Sequence, residues 1–260
     1  MNPKEKVKFI SNWINNYVNQ MPTKAQSLVI GISGGIDSSV SSTLSAMTGL
    51  RTIVLSMLIK QKKDQHDLSL RHQDWLIKKF KNVEAHTINL DNLFKSFSST
   101  LSKFNNEHGF ANSRARLRMT ALYQVASANK GIVVGTGNKV EDFGVGFYTK
   151  YGDGGVDLSP IADLMKSEVY AIASFLEINN EIQEAPPTDG LWGDDRTDED
   201  QLGASYDELE WAMNAQEMGR TTEEFHGRKK EVYKTYLKLN KANKHKMDPI
   251  PVCMIPEKLK

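Results

Sequence analysis

The segment Leu28-Val-Ile-Gly-Ile-Ser-Gly-Gly-Ile-Asp-Ser-Ser39 constrains this chain more than any other. A continuous apolar run, Ser27 to Ile32, reads as a short strand buried on both faces. Three small residues (Ser33, Gly34, Gly35) then make a tight turn, and a helix begins near Asp37. A strand that turns straight into a helix starts a crossover unit, and such units build parallel sheets.

The rest of the chain repeats the pattern. Residues 3–20 place Val7, Ile10, Trp13, Ile14 and Tyr17 at three- and four-residue spacing, which predicts an amphipathic helix. Thr52–Ile59 and Ala85–Leu90 read as strands, His66–Phe80 and Leu93–Phe104 as helices. A long helical pattern from Asn112 to Asn129 leads into the strand Gly131-Ile-Val-Val-Gly135. The expected fold is α/β, a parallel sheet with helices on both faces, whose ligands bind beyond the carboxyl ends of the strands. Residues 186–201, rich in Pro, Gly and Asp, read as a long loop, of the length usually given to function or mobility. A lysine-rich helix over 222–244 and a proline-punctuated tail over 249–260 complete a single domain of 1–260, with a C-terminal helical segment from about residue 205 packed on it.

Bulk properties narrow the class. A formal net charge of +1, with 25% charged residues, gives no basic field for nucleic acid. No apolar run approaches the ~18 residues of a membrane span, and Met1–Trp13 lacks a signal peptide's apolar stretch and cleavage site. The single cysteine, Cys253, rules out a disulfide framework or a Cys-rich zinc site within one chain, and reads as a structural thiol. The expected location is cytoplasmic, with neither nucleic acid nor membrane as partner.

The glycine loop carries chemistry. Its glycines let a ligand approach backbone amides that, with the helix N-terminus, face one anion. Ser33, Ser38 and Ser39 add hydroxyls, and Asp37 can hold a magnesium ion bridging phosphates. The Walker A lysine and the G-x-G-x-x-G fingerprint are both absent. The residues instead resemble the S-G-G-x-D-S loop of the ATP pyrophosphatase (PP-loop) superfamily, of adenine nucleotide alpha hydrolase-like fold. That resemblance implies cleavage of ATP between the α and β phosphates and transfer of AMP to an acceptor.

Three further blocks bear on the acceptor. Asn112-Ser-Arg-Ala-Arg-Leu-Arg-Met119 spreads Arg114, Arg116 and Arg118 around a helix, so one or two at most serve one anion; composition alone favours a solvated face. Gly135-Thr-Gly-Asn-Lys-Val-Glu-Asp142, continued by Phe147-Tyr-Thr-Lys-Tyr-Gly-Asp-Gly-Gly-Val-Asp157, follows a buried strand, so Thr136 sits where ligands bind. Glu141 offers a second carboxylate and Lys150 a phosphate partner. The third block is Lys166, at the start of the next helix, with Thr188.

Together these blocks resemble the NAD synthetase family over nearly the whole chain. The resemblance implies that Gly31, Ile32, Ser33, Gly34, Gly35, Ile36, Asp37 and Ser38, with Thr136, Lys166 and Thr188, bind ATP. Arg116, Lys150, Asp157, His245 and Lys246 would contact deamido-NAD, although His245 and Lys246 alone read as a solvated basic helix. Asp37 and Glu141 would hold Mg2+. Asp37, Lys150, Lys166 and Asp157 form the expected catalytic set, Asp157 as a neighbour able to take a proton from ammonium. Many relatives carry Gly-Thr-Asp-His where this chain has Gly-Thr-Gly-Asn-Lys, and this chain has one more residue before Lys150. The metal carboxylate is therefore Glu141 or Asp142, with Glu141 favoured by its distance from Thr136. The resemblance further implies a homodimer, and 260 residues leave no room for a glutaminase, so ammonia is the expected nitrogen donor. A GMP synthetase-like amidase or a tRNA-modifying ligase lacks its usual additions here, and a silent nucleotide sensor would be expected to lose a carboxylate or lysine that this chain keeps.

Overall fold

The computed structural model describes residues 2–60, 63–188 and 197–260. Helix α1 (Pro3–Gln20) starts at a capping box in which Asn2 and Glu5 satisfy each other's backbone amides. Then follow β1 (Ser27–Gly31), α2 (Ile36–Met47), β2 (Thr52–Leu58), α3 (Lys63–Lys79) and β3 (Val83–Asn89). Next come α4 (Asp91–Thr100), α5 (Glu107–Ala128) and β4 (Gly131–Val133). The second half holds α6 (Lys166–Phe175), α7 (Asn180–Glu184), α8 (Asp198–Leu202), α9 (Tyr206–Glu217) and α10 (Gly227–Met247). The expected strands and helices through β4 all form, with ends shifted by a few residues.

The four strands of the described residues pair in parallel in the order β3-β2-β1-β4. Alternate residues of β1 serve opposite faces, as the two-residue strand period requires. Leu28 and Ile30 join α1, α2 and α6 in one cluster, while Val29 joins Ile53, Leu55, Val133 and Ala126 under α4 and α5. Both faces of β1 are therefore covered, which is why it reads as an unbroken apolar run, whereas the edge strand β3 carries exposed Glu84, His86 and Thr87.

A second cluster lies apart from the sheet. Leu209, Ala212 and Met213 of α9 and Val232, Tyr233 and Tyr236 of α10 close around Val140 and Val145. The chain between those two valines is a π-helical turn, Val140–Val145. Such turns accommodate one residue more than an α-helix does, and this one falls just before Lys150, the stretch expected to hold one more residue than many relatives have. The carbonyls it displaces are met by one stripe of α10. Asn240 Nδ2 donates to Gly144 O at 2.7 Å, Asn243 Nδ2 to Val145 O at 2.8 Å, and Lys246 Nζ to Gly146 O at 2.8 Å and Tyr148 O at 3.0 Å.

The loop expected over 186–201 is partly replaced by α8, which Thr197 caps through Asp200; residues 189–196 lie outside the described residues. The basic helix expected from 222 begins at Gly227, after a 3-10 turn at Thr222–Glu224.

Candidate active site

Beyond the carboxyl ends of β1, β2 and β4 lies a cavity of about 830 Å³, within the range of small-molecule sites. The whole loop Gly31–Ser38 lines it, as do Thr136, Glu141, Lys166 and Thr188. Arg116, Lys150, His245 and Lys246 line it too. The fold thus gathers the two expected binding sets, Asp157 excepted, around one space.

The glycine loop is shaped from within. Gly34 has φ +94°, and a Cβ there would stand 2.5 Å from the Gln65 carbonyl oxygen of α3, so only glycine fits. The Ser33 amide donates to Ser38 Oγ at 3.3 Å and the Gly35 amide to Ser33 Oγ at 3.2 Å, while Ser38 and Ser39 hydroxyls both return to Gly35 O. The serines that looked like ligand donors in the sequence hold the loop open around the N-terminus of α2.

Behind the loop, three segments converge on one cation. Lys166 Nζ, on a side chain only 3% exposed, lies 2.6 Å from Asp37 Oδ2 and 2.9 Å from Glu141 Oε1. Asn138 Nδ2 donates to Asp37 Oδ1 at 3.0 Å, and the Tyr206 hydroxyl donates to Glu141 Oε1 at 2.6 Å. Burial pushes the Asp37 carboxyl above its ordinary range, against the pull of Lys166 and with the charge of Glu141. For Glu141 burial acts upward as well, but Lys166 and the hydrogen bonds from Tyr206, Lys166 and Asn138 hold it below the usual value. Lys166 is raised, the two carboxylates outweighing its burial. It is Glu141, not Asp142, that stands beside Asp37. The Asp142 carboxyl turns toward Gly137, where a Cβ would come within 2.0 Å of it. Burial, with Glu141, Asp153 and Asp37 nearby, raises Asp142 well above the carboxylate range.

The opposite lip is basic. Lys150 Nζ donates to His245 O at 2.6 Å, and Arg116 Nε to Lys150 O at 3.3 Å. Asp157 departs from expectation: it does not line the cavity, because its carboxylate accepts the Val133 amide at 2.7 Å and the Tyr123 hydroxyl at 3.0 Å. These two bonds fasten the segment after β4 to β4 and α5. The cavity carboxyl of that glycine-rich block is Asp153, whose dense protein surroundings push it up to about 6.

Sequence reasoning missed five lining or bridging groups. Asn138 and Tyr206 hold the carboxylates, Asp198 is buried on the cavity wall, Asp153 faces in, and Arg118 lines the floor while donating to Met57 O at 3.1 Å. Burial lowers the Arg118 guanidinium to about 10. Asn138 had a signal, since it is one of the residues that break the Gly-Thr-Asp-His pattern. Tyr206 had none.

To join a carboxylate to an amine, ATP must be gripped at its phosphates while a second anionic reactant is held against it. A glycine loop, a carboxylate pair and a basic lip around one space suit the class that does this, the ATP-dependent amidating ligases. A sequence model described as NAD synthase matches residues 6–250. An NH(3)-dependent NAD(+) synthetase of Syntrophomonas wolfei is 33% identical over 100% of both chains, and one of Carboxydothermus hydrogenoformans is 32% identical over 81% of this chain and 85% of that one. Among solved structures, an NMN synthetase from Francisella tularensis superposes with TM-score 0.84 at 29% identity, covering 99% of each chain. An NH3-dependent NAD synthetase from Campylobacter jejuni superposes with TM-score 0.79 at 23% identity, covering 98% of this chain and all of the other, and shares the fold. The chain belongs to the NAD synthase family. It is an ATP-dependent amidating ligase, and its activity is ammonia-dependent NAD synthesis.

Proposed function

We propose that both halves of this synthesis, activation of the nicotinate carboxylate and its amidation, take place in the one cavity. The observation that carries the reading is the shared space: phosphate loop, carboxylate pair and basic lip all line it. ATP lies with its phosphates on the amides of Gly31–Ser38, and Thr136 and Thr188 flank it. Deamido-NAD lies against Arg116, Lys150, His245 and Lys246. Its carboxylate oxygen attacks the α phosphorus, the bond to the β-phosphate oxygen breaks, and pyrophosphate leaves on the glycine loop. Ammonia then adds to the acyl carbon and AMP departs. Asp153 suits the proton that ammonium must lose better than Asp157 does, because its carboxyl lies on the cavity wall.

Asp37 Oδ2 and Glu141 Oε1 already converge on one cation, the Lys166 ammonium, and hard carboxylate oxygens suit magnesium. Asp37 and Glu141 would hold Mg2+, which when bound there supplies charge neutralisation at the phosphates. Lys166, released from the pair, moves its charge to the phosphates. A homodimer is supported by Phe9, Trp13 and Tyr17, exposed aromatics four residues apart along α1, and is tested by sedimentation. A cytoplasmic location is supported by the lone free thiol at Cys253, and no described helix is long and apolar enough to cross a membrane.

The test supplies ATP, magnesium, ammonium and deamido-NAD and measures NAD, AMP and pyrophosphate. Equal yields of all three are expected, and Asp37→Ala abolishes them; ADP in place of AMP, or equal turnover of XMP, overturns the reading. The Francisella likeness favours a second reading of the acceptor, nicotinate mononucleotide, which carries the same carboxylate without the adenylate half. A higher kcat/KM for the mononucleotide than for deamido-NAD would establish it.

A further inference from the structure

Besides the shared lysine, neutral side chains brace the carboxylate pair. Asn138 serves both Asp37 and Glu141, while the Tyr206 hydroxyl serves Glu141, 2.6 Å from the same Oε1 that Lys166 approaches at 2.9 Å. Tyr206 is 6% exposed, and its ring lies 4.6 Å beneath the Lys166 ammonium. It does not reach the glycine loop, nor is it among the residues lining the cavity. It arrives from the second core, as the first residue of α9, whose start is fixed by a capping box between Ser205 and Glu208. Its amide donates to Glu199 Oε1 at 2.9 Å, and its hydroxyl also stands 3.4 Å from Asp198 Oδ2. The phenol is thus locked from behind and aimed at one oxygen.

We propose that Tyr206 is a positioning residue for Glu141, holding that carboxylate toward Asp37 once Lys166 leaves the pair for the phosphates. The assignment rests on the reading of Asp37 and Glu141 as metal ligands. Without the phenol, Glu141 loses the short hydrogen bond that reaches it from the second core at the moment Lys166 withdraws, and must be reordered by the incoming cation. That cost falls on metal binding and not on the grip of the glycine loop. Asp198 stands farther from the same hydroxyl, so the shorter contact to Glu141 sets the phenol's direction.

The experiment compares Tyr206→Phe, Tyr236→Phe and Glu141→Gln. Tyr236 supplies the control: its phenol, in the same core, donates to Gln216 Oε1 at 2.9 Å, outside the site. Binding of Mn2+ to the free enzyme is titrated by electron paramagnetic resonance, and the magnesium dependence of turnover is measured at saturating ATP. Tyr206→Phe is expected to weaken Mn2+ binding about tenfold, the effect of losing one hydrogen bond to a charged group. The magnesium concentration for half-maximal rate should rise by the same factor, with excess magnesium restoring most of the rate. Tyr236→Phe, which removes a comparable buried hydrogen bond, leaves Mn2+ binding at the parent value. If Glu141→Gln loses Mn2+ while Tyr206→Phe binds it like the parent, the positioning role is overturned and the metal reading stands. If Glu141→Gln itself binds Mn2+ like the parent, the metal reading fails first. If both phenylalanine variants lose Mn2+ binding equally, the effect is one of core stability and the proposal is overturned.

Discussion

Replacing Lys166 with Met tests the centre of the site. The ammonium lies 2.6 and 2.9 Å from two carboxylate oxygens on a side chain 3% exposed. At an effective dielectric of about 20, each contact is a gross attraction of roughly 6 kcal/mol, much of it offset by the cost of burying the charges. Methionine fills the same space and leaves Asp37 and Glu141 facing each other without a counter-charge. Breaking a buried pair in this way costs about 3–5 kcal/mol, or a fall in Tm of roughly 6–20 °C for a chain of this size. The loss should partly reverse on adding magnesium, because a divalent cation replaces the missing charge and binds only the folded state. Differential scanning calorimetry with and without millimolar magnesium measures both effects, and turnover should vanish in either condition. A variant within about 1 kcal/mol of the parent, or one whose gain from magnesium is no larger than the parent's, would refute the view of Lys166 as the resident cation of the pair.

Two further outcomes follow from geometry elsewhere. Gly34→Ala forces a Cβ to within 2.5 Å of Gln65 O at φ +94°, and should cost about 2–4 kcal/mol in urea denaturation while raising the KM for ATP. His72, 1% exposed and 3.0 Å from Ser42 Oγ, is pushed by burial from 6.5 down to about 4. The folded state therefore refuses a proton that the unfolded state accepts. Stability contributed by the neutral ring is complete above pH 6.5 and falls by roughly 3 kcal/mol as the pH drops to 4; His72→Gln should flatten that part of the stability–pH curve, and an unchanged slope would count against it.

Much of this was legible because local pattern carries it. The unbroken apolar strands, the glycines of the loop and the placing of Lys166 at a helix start each depend on a few adjacent residues, and all are found where the spacing puts them. What Lys166 touches was not legible. Its partners come from α2 and from the π turn, 129 and 25 residues away in sequence, and only the assembled sheet brings them together. The surroundings of Asp157 were equally out of reach: its motif is long enough to name a family, but the Val133 amide and Tyr123 hydroxyl it accepts come from 24 and 34 residues away. Tyr206 left no trace because one tyrosine among eight, at the start of an ordinary capped helix, has nothing in its neighbours to mark it.

The stripe of Asn240, Asn243 and Lys246 on α10 gives the extra residue of the π turn an evolutionary cost. Deleting one residue between Glu141 and Lys150 would shorten the turn and draw the carbonyls of Gly144, Val145 and Gly146 away from α10. Three side-chain donors on α10 would then lose their acceptors together, in a partly buried setting where each orphaned donor costs about 1–3 kcal/mol. Turn and stripe should therefore change together. A lineage that loses the extra residue should also exchange the amides and the lysine, three residues apart, some hundred positions downstream. Intermediates carrying only one of the two changes should be the less stable proteins.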